Sequence, residues 1–168
     1  RQVRKIIPTV LPQNILNMTN EELSKMIASA SFYTRKTQTI KNVATYFNDN
    51  FDCDLELAQE QNKRKLRQEI LSIHGIGPET ADVILMYGLR KGEFVVDTYS
   101  RRLFTCLGWK NVPPYEKAKV LIEKNLDNFT LRNYQNFHAM IDTFNQEYKL
   151  PQQFDNSFLA KYELIIPY

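Results

Sequence analysis

Cysteine is scarce in this chain: 168 residues hold two. Cys53 and Cys106 stand far apart and match no metal-binding or redox spacing. Two thiolates cannot supply a four-cysteine iron–sulfur site, so these residues hold no such cluster. A free thiol in a reducing compartment is the plain reading. Histidine is equally rare, and neither His74 nor His138 has a ligand partner at metal spacing. No apolar run approaches the roughly 20 residues that cross a membrane. No stretch reads as a secretory signal. Repeats and low-complexity segments are missing, and so is clear period-two alternation, which argues against a sheet.

What is present is ordinary for a folded domain. Hydrophobic residues make up 43% and charged residues 24%. The length allows one core, or two small lobes sharing a chain. A net charge of +3 permits an anionic partner without demanding one. Lys63-Arg64-Lys65 and Arg101-Arg102 could line a phosphate track or form the polar sides of helices. The chain opens at Arg1, without methionine, in a segment that reads as mid-helix. An absent amino-terminal portion is therefore expected.

Apolar residues recur at helical spacing almost throughout. Thr19-Asn20-Glu21-Glu22 is a helix start, with Leu23, Met26 and Ile27 as its stripe. Phe32-Tyr33-Thr34 breaks the pattern. Lys36 to Phe47 resumes it with Ile40, Val43, Ala44 and Phe47, and Asn48-Asp49-Asn50 is expected to end it. Asp52 to Asn62 reads as part helix, part surface. Lys65 to Ser72 forms a helix with Leu66 and Ile70 inward. Pro78 suits a first helical position, Glu79 to Tyr87 follows, and Gly88 stops it. Asp97 can cap a helix from Thr98 to Leu107. Pro113-Pro114 starts another, with Ala118, Val120, Leu121 and Ile122 apolar. Tyr134 to Tyr148 is the last long helix, and the tail beyond Pro151 is irregular.

The informative stretch is Ile73-His74-Gly75-Ile76-Gly77-Pro78, with Asp97 some way behind it after Phe94-Val95-Val96. Two glycines around one apolar residue let the backbone turn tightly between helices. Ile76 can plug the contact beneath. Amides of the loop and of the next helix start can then face a phosphate. A turn that only joins two helices is the plain alternative. Asp97 has a plain role too, as a helix cap worth roughly 1 kcal/mol. Capping and chemistry are compatible, because a capped carboxylate has a fixed direction.

The segment from about Leu71 to Leu107 resembles the helix-hairpin-helix and catalytic-aspartate region of the endonuclease III superfamily of DNA glycosylases. Gly75-Ile76-Gly77, Thr80-Ala81-Asp82 and Val95-Val96-Asp97-Thr98 carry the likeness. Ala30 to Lys36 and Phe137-His138-Ala139-Met140-Ile141 resemble further family segments. The resemblance implies an all-α, two-lobed glycosylase fold whose amino-terminal helices are missing here. It implies a lobe over residues 1–115, with the helix-hairpin-helix at about 64–88 and Asp97, and carboxy-terminal helices over 116–168 completing the second lobe. His74, Gly75, Ile76, Gly77 and Thr80 fall on DNA-binding positions. Carbonyls of Leu71, Ile73 and Ile76 fall where relatives hold a monovalent cation. Asp97 falls on the catalytic position. Breaking an N-glycosidic bond builds positive charge on the sugar, which an ionised carboxylate stabilises. It can also orient or deprotonate a water.

Relatives that also cut the strand carry a lysine where this chain has Glu79. A carboxylate cannot form the imine with the sugar. A first-turn glutamate facing the helix dipole is the plain alternative. The resemblance implies a monofunctional glycosylase that leaves an abasic site, without a lyase step. A glutamate here, with no cluster cysteines, is similar to the bacterial 3-methyladenine glycosylase branch, so alkylated bases are the expected substrates. Met140 and Gln146 depart from the basic residues of that branch. Phe32, Tyr33 and Tyr99 are candidates for an aromatic pocket. His138 reads as a packing residue or a local hydrogen-bond partner. The expected partner is double-stranded DNA with a damaged base, met by a monomer in a bacterial cytoplasm, near the nucleoid, with no membrane contact. Mismatched or oxidised pyrimidines, or a non-catalytic DNA-binding module, are the alternatives.

Overall fold

The computed structural model describes residues 11–165. The mid-helix reading of the opening at Arg1 falls outside them. Every regular element among the described residues is helical, as expected. The chain divides into two compact units, Arg1–Gly77 and Pro78–Tyr168.

The first unit holds α1 (Pro12–Asn17), α2 (Asn20–Met26), α3 (Tyr33–Phe51), α4 (Leu55–Glu60) and α5 (Lys63–Ser72). The Thr19 side chain accepts from Glu22 N, and Glu22 reaches back to Thr19 N. This reciprocal cap is worth about 1 kcal/mol. Helices α1 and α2 pack on α3 around Ile15, Leu23 and Ala44. The sequence pattern puts the start of α3 too late and its end too early. It begins at Tyr33 and runs through Asn48-Asp49-Asn50. Asn50 Nδ2 donates to the Tyr46 carbonyl at 2.8 Å, bonding back within the helix instead of ending it. The helix stops at Asp52 and Cys53, both in left-handed conformations (φ 48° and 60°). Asn62 caps α5 through Arg64 N and Lys65 N. Leu66 and Ile70 are wholly buried, each worth roughly 1.5–3 kcal/mol. The Tyr46 hydroxyl donates to Glu69 Oε2 at 2.7 Å, joining α3 to α5.

The second unit opens with α6 (Pro78–Val83), which widens into a π turn over Ile84–Gly88. Helices α7 (Thr98–Cys106), α8 (Tyr115–Glu123) and α9 (Leu131–Glu147) follow. Its core includes Phe94, Val96, Leu103, Phe104, Ala118, Ile122, Ile141 and Phe144. Helix α9 packs on α7 and on the π turn. It starts at Leu131 rather than Tyr134, because Thr130 caps it by accepting from Asn133 N. Val120, expected among the apolar lining, faces solvent on α8 at 50% exposure. The α8 residues buried in the core are Ala118 and Ile122, with Leu121 half-buried against them.

Candidate active site

Asp97 is the amino-terminal cap of α7, with extended backbone. Its Oδ1 accepts from Ser100 N at 2.7 Å, while the Ser100 hydroxyl donates to the Asp97 carbonyl at 2.9 Å. Val96, just before it, is buried in the core of the second unit. The Asp97 side chain keeps 14% of its surface exposed. The apolar Phe94-Val95-Val96 run therefore anchors the approach to the helix, and the cap aims the carboxylate.

Oδ2 of Asp97 lies 3.7 Å from His138 Nε2 on α9. His138 Nδ1 in turn lies 2.9 Å from the Tyr87 hydroxyl in the π turn. Burial pushes the Asp97 carboxyl up, but the His138 ring and Ser100 outweigh it and hold the group below its ordinary range. Asp97 is thus an anion at neutral pH. Glu79, in the first turn of α6, shows the opposite behaviour. Burial and the nearby Asp97 charge push its carboxyl up, against the pull of His138 and Arg101. Two carboxyls of one unit are driven apart, the pattern expected of groups with different roles.

The hairpin residues are placed by α3 and α5. Gly75 has φ +92°, and a Cβ there would collide with Thr39 Oγ1. Asn42 Nδ2 donates to the His74 carbonyl at 3.0 Å. Ile76 N donates to the Ile73 carbonyl at 3.1 Å. The turn is therefore set on a polar ledge of α3. Gly77 differs from Gly75: it has no left-handed φ, and a Cβ at this position would meet nothing within 4 Å. His74 and Gly77 are exposed and Ile76 is half-buried, all in the first unit; Thr80 is exposed at the head of α6 in the second. Leu71 lies in the last turn of α5, where carbonyls have no helical partner. Ile73 leaves the helix extended. Both are chemically fit to face a cation.

The family model described as "HhH-GPD superfamily base excision DNA repair protein" matches residues 2–128. The chain belongs to the HhH-GPD superfamily. It is 40% identical over 129 residues to a Methanocaldococcus jannaschii protein named "Putative DNA repair glycosylase", covering 76% of this chain and 58% of that protein. It is 31% identical over 140 residues to endonuclease III of Sulfolobus acidocaldarius, covering 83% of this chain and 60% of the relative. Among solved structures it is similar to H. pylori 3-methyladenine DNA glycosylase bound to 1,N6-ethenoadenine (TM-score 0.69, 25% identity, 81% of this chain and 67% of that one). The chain thus spans less than two thirds of the length of these two sequence relatives. The helical glycosylase fold inferred from the sequence is the fold found.

A buried charge network centres on α8. Lys119 Nζ sits between Asp82 Oδ2 (2.9 Å), Glu93 and Glu123 Oε1 (3.3 Å), with the lysine side chain only 7% exposed. Tyr115 donates to Asp82 Oδ2 at 2.9 Å, and Glu123 Oε1 accepts from Phe94 N at 2.9 Å. This buried network ties α6 and α8 to the segment that leads into Asp97. Little in the sequence announces it. Asp82 stands out only as part of Thr80-Ala81-Asp82, and Glu93 and Lys119 carry no motif. A lysine and a glutamate at i and i+4 on a helix otherwise reaching the core are the available signal. The residues around His138 suggest packing or a local partner, and they give no sign of its link to Asp97. Phe32, Tyr33 and Tyr99 are surface aromatics, at 77%, 43% and 36% exposure. An apolar cavity of about 570 Å³ opens along α9, lined by Leu103, Phe137, Met140, Phe144 and Phe158 among others. Asp97, Glu79 and His138 do not line it. No helix of the described residues is long and apolar enough to cross a membrane.

Proposed function

We propose that this chain carries the catalytic region of a monofunctional DNA N-glycosylase that removes alkylated bases from duplex DNA and leaves an abasic site. The observation that carries the reading is Asp97: an ionised, capped, partly exposed carboxylate in a chain of the base-excision superfamily. Its charge stabilises the cation that develops on deoxyribose as the base departs. Its direction suits a water approaching the same carbon. The target nucleotide leaves the stack first, at a few kcal/mol, less when the pair is damaged. Gly75-Ile76-Gly77 with His74 and Thr80 grip the backbone through main-chain groups and short side chains. The carbonyls of Leu71, Ile73 and Ile76 would hold a monovalent cation, which would supply positive charge at this turn. Glu79 supports the monofunctional assignment, because it offers no amine to the opened sugar.

The substrate class rests on the likeness to the H. pylori 3-methyladenine glycosylase and on chemistry. An alkylated purine is already cationic and leaves with little acid assistance. The enzyme acts on double-stranded DNA as a monomer, with residues 1–115 and 116–168 contributing to two lobes. A second reading is favoured by the endonuclease III relatives: the same chemistry on damaged pyrimidines. A panel of duplexes with single lesions, incubated with the chain and then heated in alkali, separates these. Cleavage confined to alkylated-purine strands, and only after alkali, is expected. Release of oxidised pyrimidines would support the second reading, and strand nicking without alkali would overturn the monofunctional assignment.

A further inference from the structure

We propose that His138, itself held by Tyr87, is a positioning residue that keeps the free oxygen of Asp97 in its working orientation. This rests on the reading of Asp97 as the catalytic carboxylate. The three residues come from three elements of the second unit. Tyr87 lies in the π turn, Asp97 at the head of α7, His138 on α9. Oδ1 of Asp97 is already engaged by Ser100 N at 2.7 Å. Oδ2 faces His138 Nε2 at 3.7 Å. That distance is longer than a formed hydrogen bond. Such contacts commonly tighten once substrate is bound.

The proton inventory supports one arrangement. A carboxylate only accepts, so the ring nitrogen facing it carries hydrogen. A neutral ring then has Nδ1 as an acceptor, and the Tyr87 hydroxyl at 2.9 Å is placed to donate to it. Tyr87 therefore selects the tautomer that serves Asp97. The π turn contributes to this. Its wider hydrogen bonding, seen in Leu89 N donating to the Ile84 carbonyl at 3.1 Å, resets the direction of the last turn that bears Tyr87. Such turns recur at functional sites. The other charged groups around the pair are Glu79 on α6, Arg101 on α7 and Asp142 on α9. Glu79 and Asp97 act on each other, Arg101 acts on Glu79, and Asp142 acts on Tyr87. Glu79 and Asp142 are acceptors, and the Arg101 guanidinium donates to the Val112 and Pro113 carbonyls at 3.3 and 2.9 Å.

The test measures single-turnover base release by the full chain, on a lesion duplex that the wild type processes, across acid to neutral pH. His138→Ala is expected to lower the rate roughly tenfold, with duplex affinity unchanged. Its acid limb should move to higher pH, because Asp97 loses the neighbour that favours its anion. Tyr87→Phe should move rate and limb the same way by less. In the His138→Ala background it should add nothing. His138→Gln keeps an N–H donor and should recover part of the rate. If His138→Ala does not fold, Tyr87→Phe and His138→Gln carry the test. Wild-type rate and limb position in these variants would overturn the proposal, and so would full additivity of the double variant. A wild-type chain inert on every lesion would instead remove the glycosylase reading, and this inference with it.

Discussion

Lys119 Nζ lies 2.9 Å from Asp82 Oδ2, and both side chains are buried. Burial pushes the Lys119 ammonium down, but Asp82 and Glu93 outweigh it and hold it above its ordinary range. Removing the cation strands carboxylates in the interior. Lys119→Met should therefore cost about 3–5 kcal/mol of stability, measured by urea unfolding. Glu21→Ala, which breaks the exposed pair with Lys25 at 2.7 Å, should cost at most about 1 kcal/mol. The raised lysine also fixes a sign. Its contribution is complete at neutral pH and is lost only as pH rises beyond the ordinary lysine range near 10.5.

The two hairpin glycines should separate folding from binding. Gly75→Ala forces a side chain into a left-handed φ and against Thr39, and should destabilise by roughly 1–3 kcal/mol. Gly77→Ala meets nothing within 4 Å, so its unfolding midpoint should stay close to wild type. Duplex affinity, read by fluorescence anisotropy, should nevertheless fall for Gly77→Ala, because on the proposed reading the added methyl would stand in the path of the phosphate backbone. Unchanged affinity would argue that Gly77 serves the turn alone.

Glu79 tests the class of chemistry. Wild-type chain treated with borohydride in the presence of lesion DNA should give no covalent adduct. Glu79→Lys places an amine beside Asp97 and should yield a trapped protein–DNA species on denaturing gels. The exchange puts a cation in the first turn of α6, which costs about 0.3–1 kcal/mol, and the protein should remain folded.

Asp97 should leave its mark on stability in strong acid. The Asp97 carboxyl is held below its ordinary value of 3.8. A depressed carboxyl stabilises the native state above its unfolded pKa and loses that contribution as pH falls through the folded one. Asp97→Ala should flatten this part of the pH–stability curve and cost about 1 kcal/mol at neutral pH for the lost cap.

Much of this is legible in the residues, for physical reasons. Thr19 with Glu22, Pro78 and Asp97 mark helix starts through local hydrogen bonding or ring geometry, and each start falls where its residues place it. Buried positions such as Leu66, Ile70 and Ala81 follow from spacing along one helix. The misses depend on longer reach. Asn48-Asp49-Asn50 look like a stop, yet the helix continues until Asp52 and Cys53 turn left-handed. Helix α1, a single short element starting at Pro12, offers too little periodicity to see. Asp82 and Lys119 stand 37 residues apart, and Tyr87 and His138 stand 51 apart. Only the tertiary fold brings such pairs together.

The most direct measurement is single-turnover base release by Asp97→Asn beside wild type on the same lesion duplex. Asparagine caps a helix nearly as well as aspartate, so folding and duplex binding should persist while base release is abolished. Release by Asp97→Asn at the wild-type rate would contradict the account at its centre.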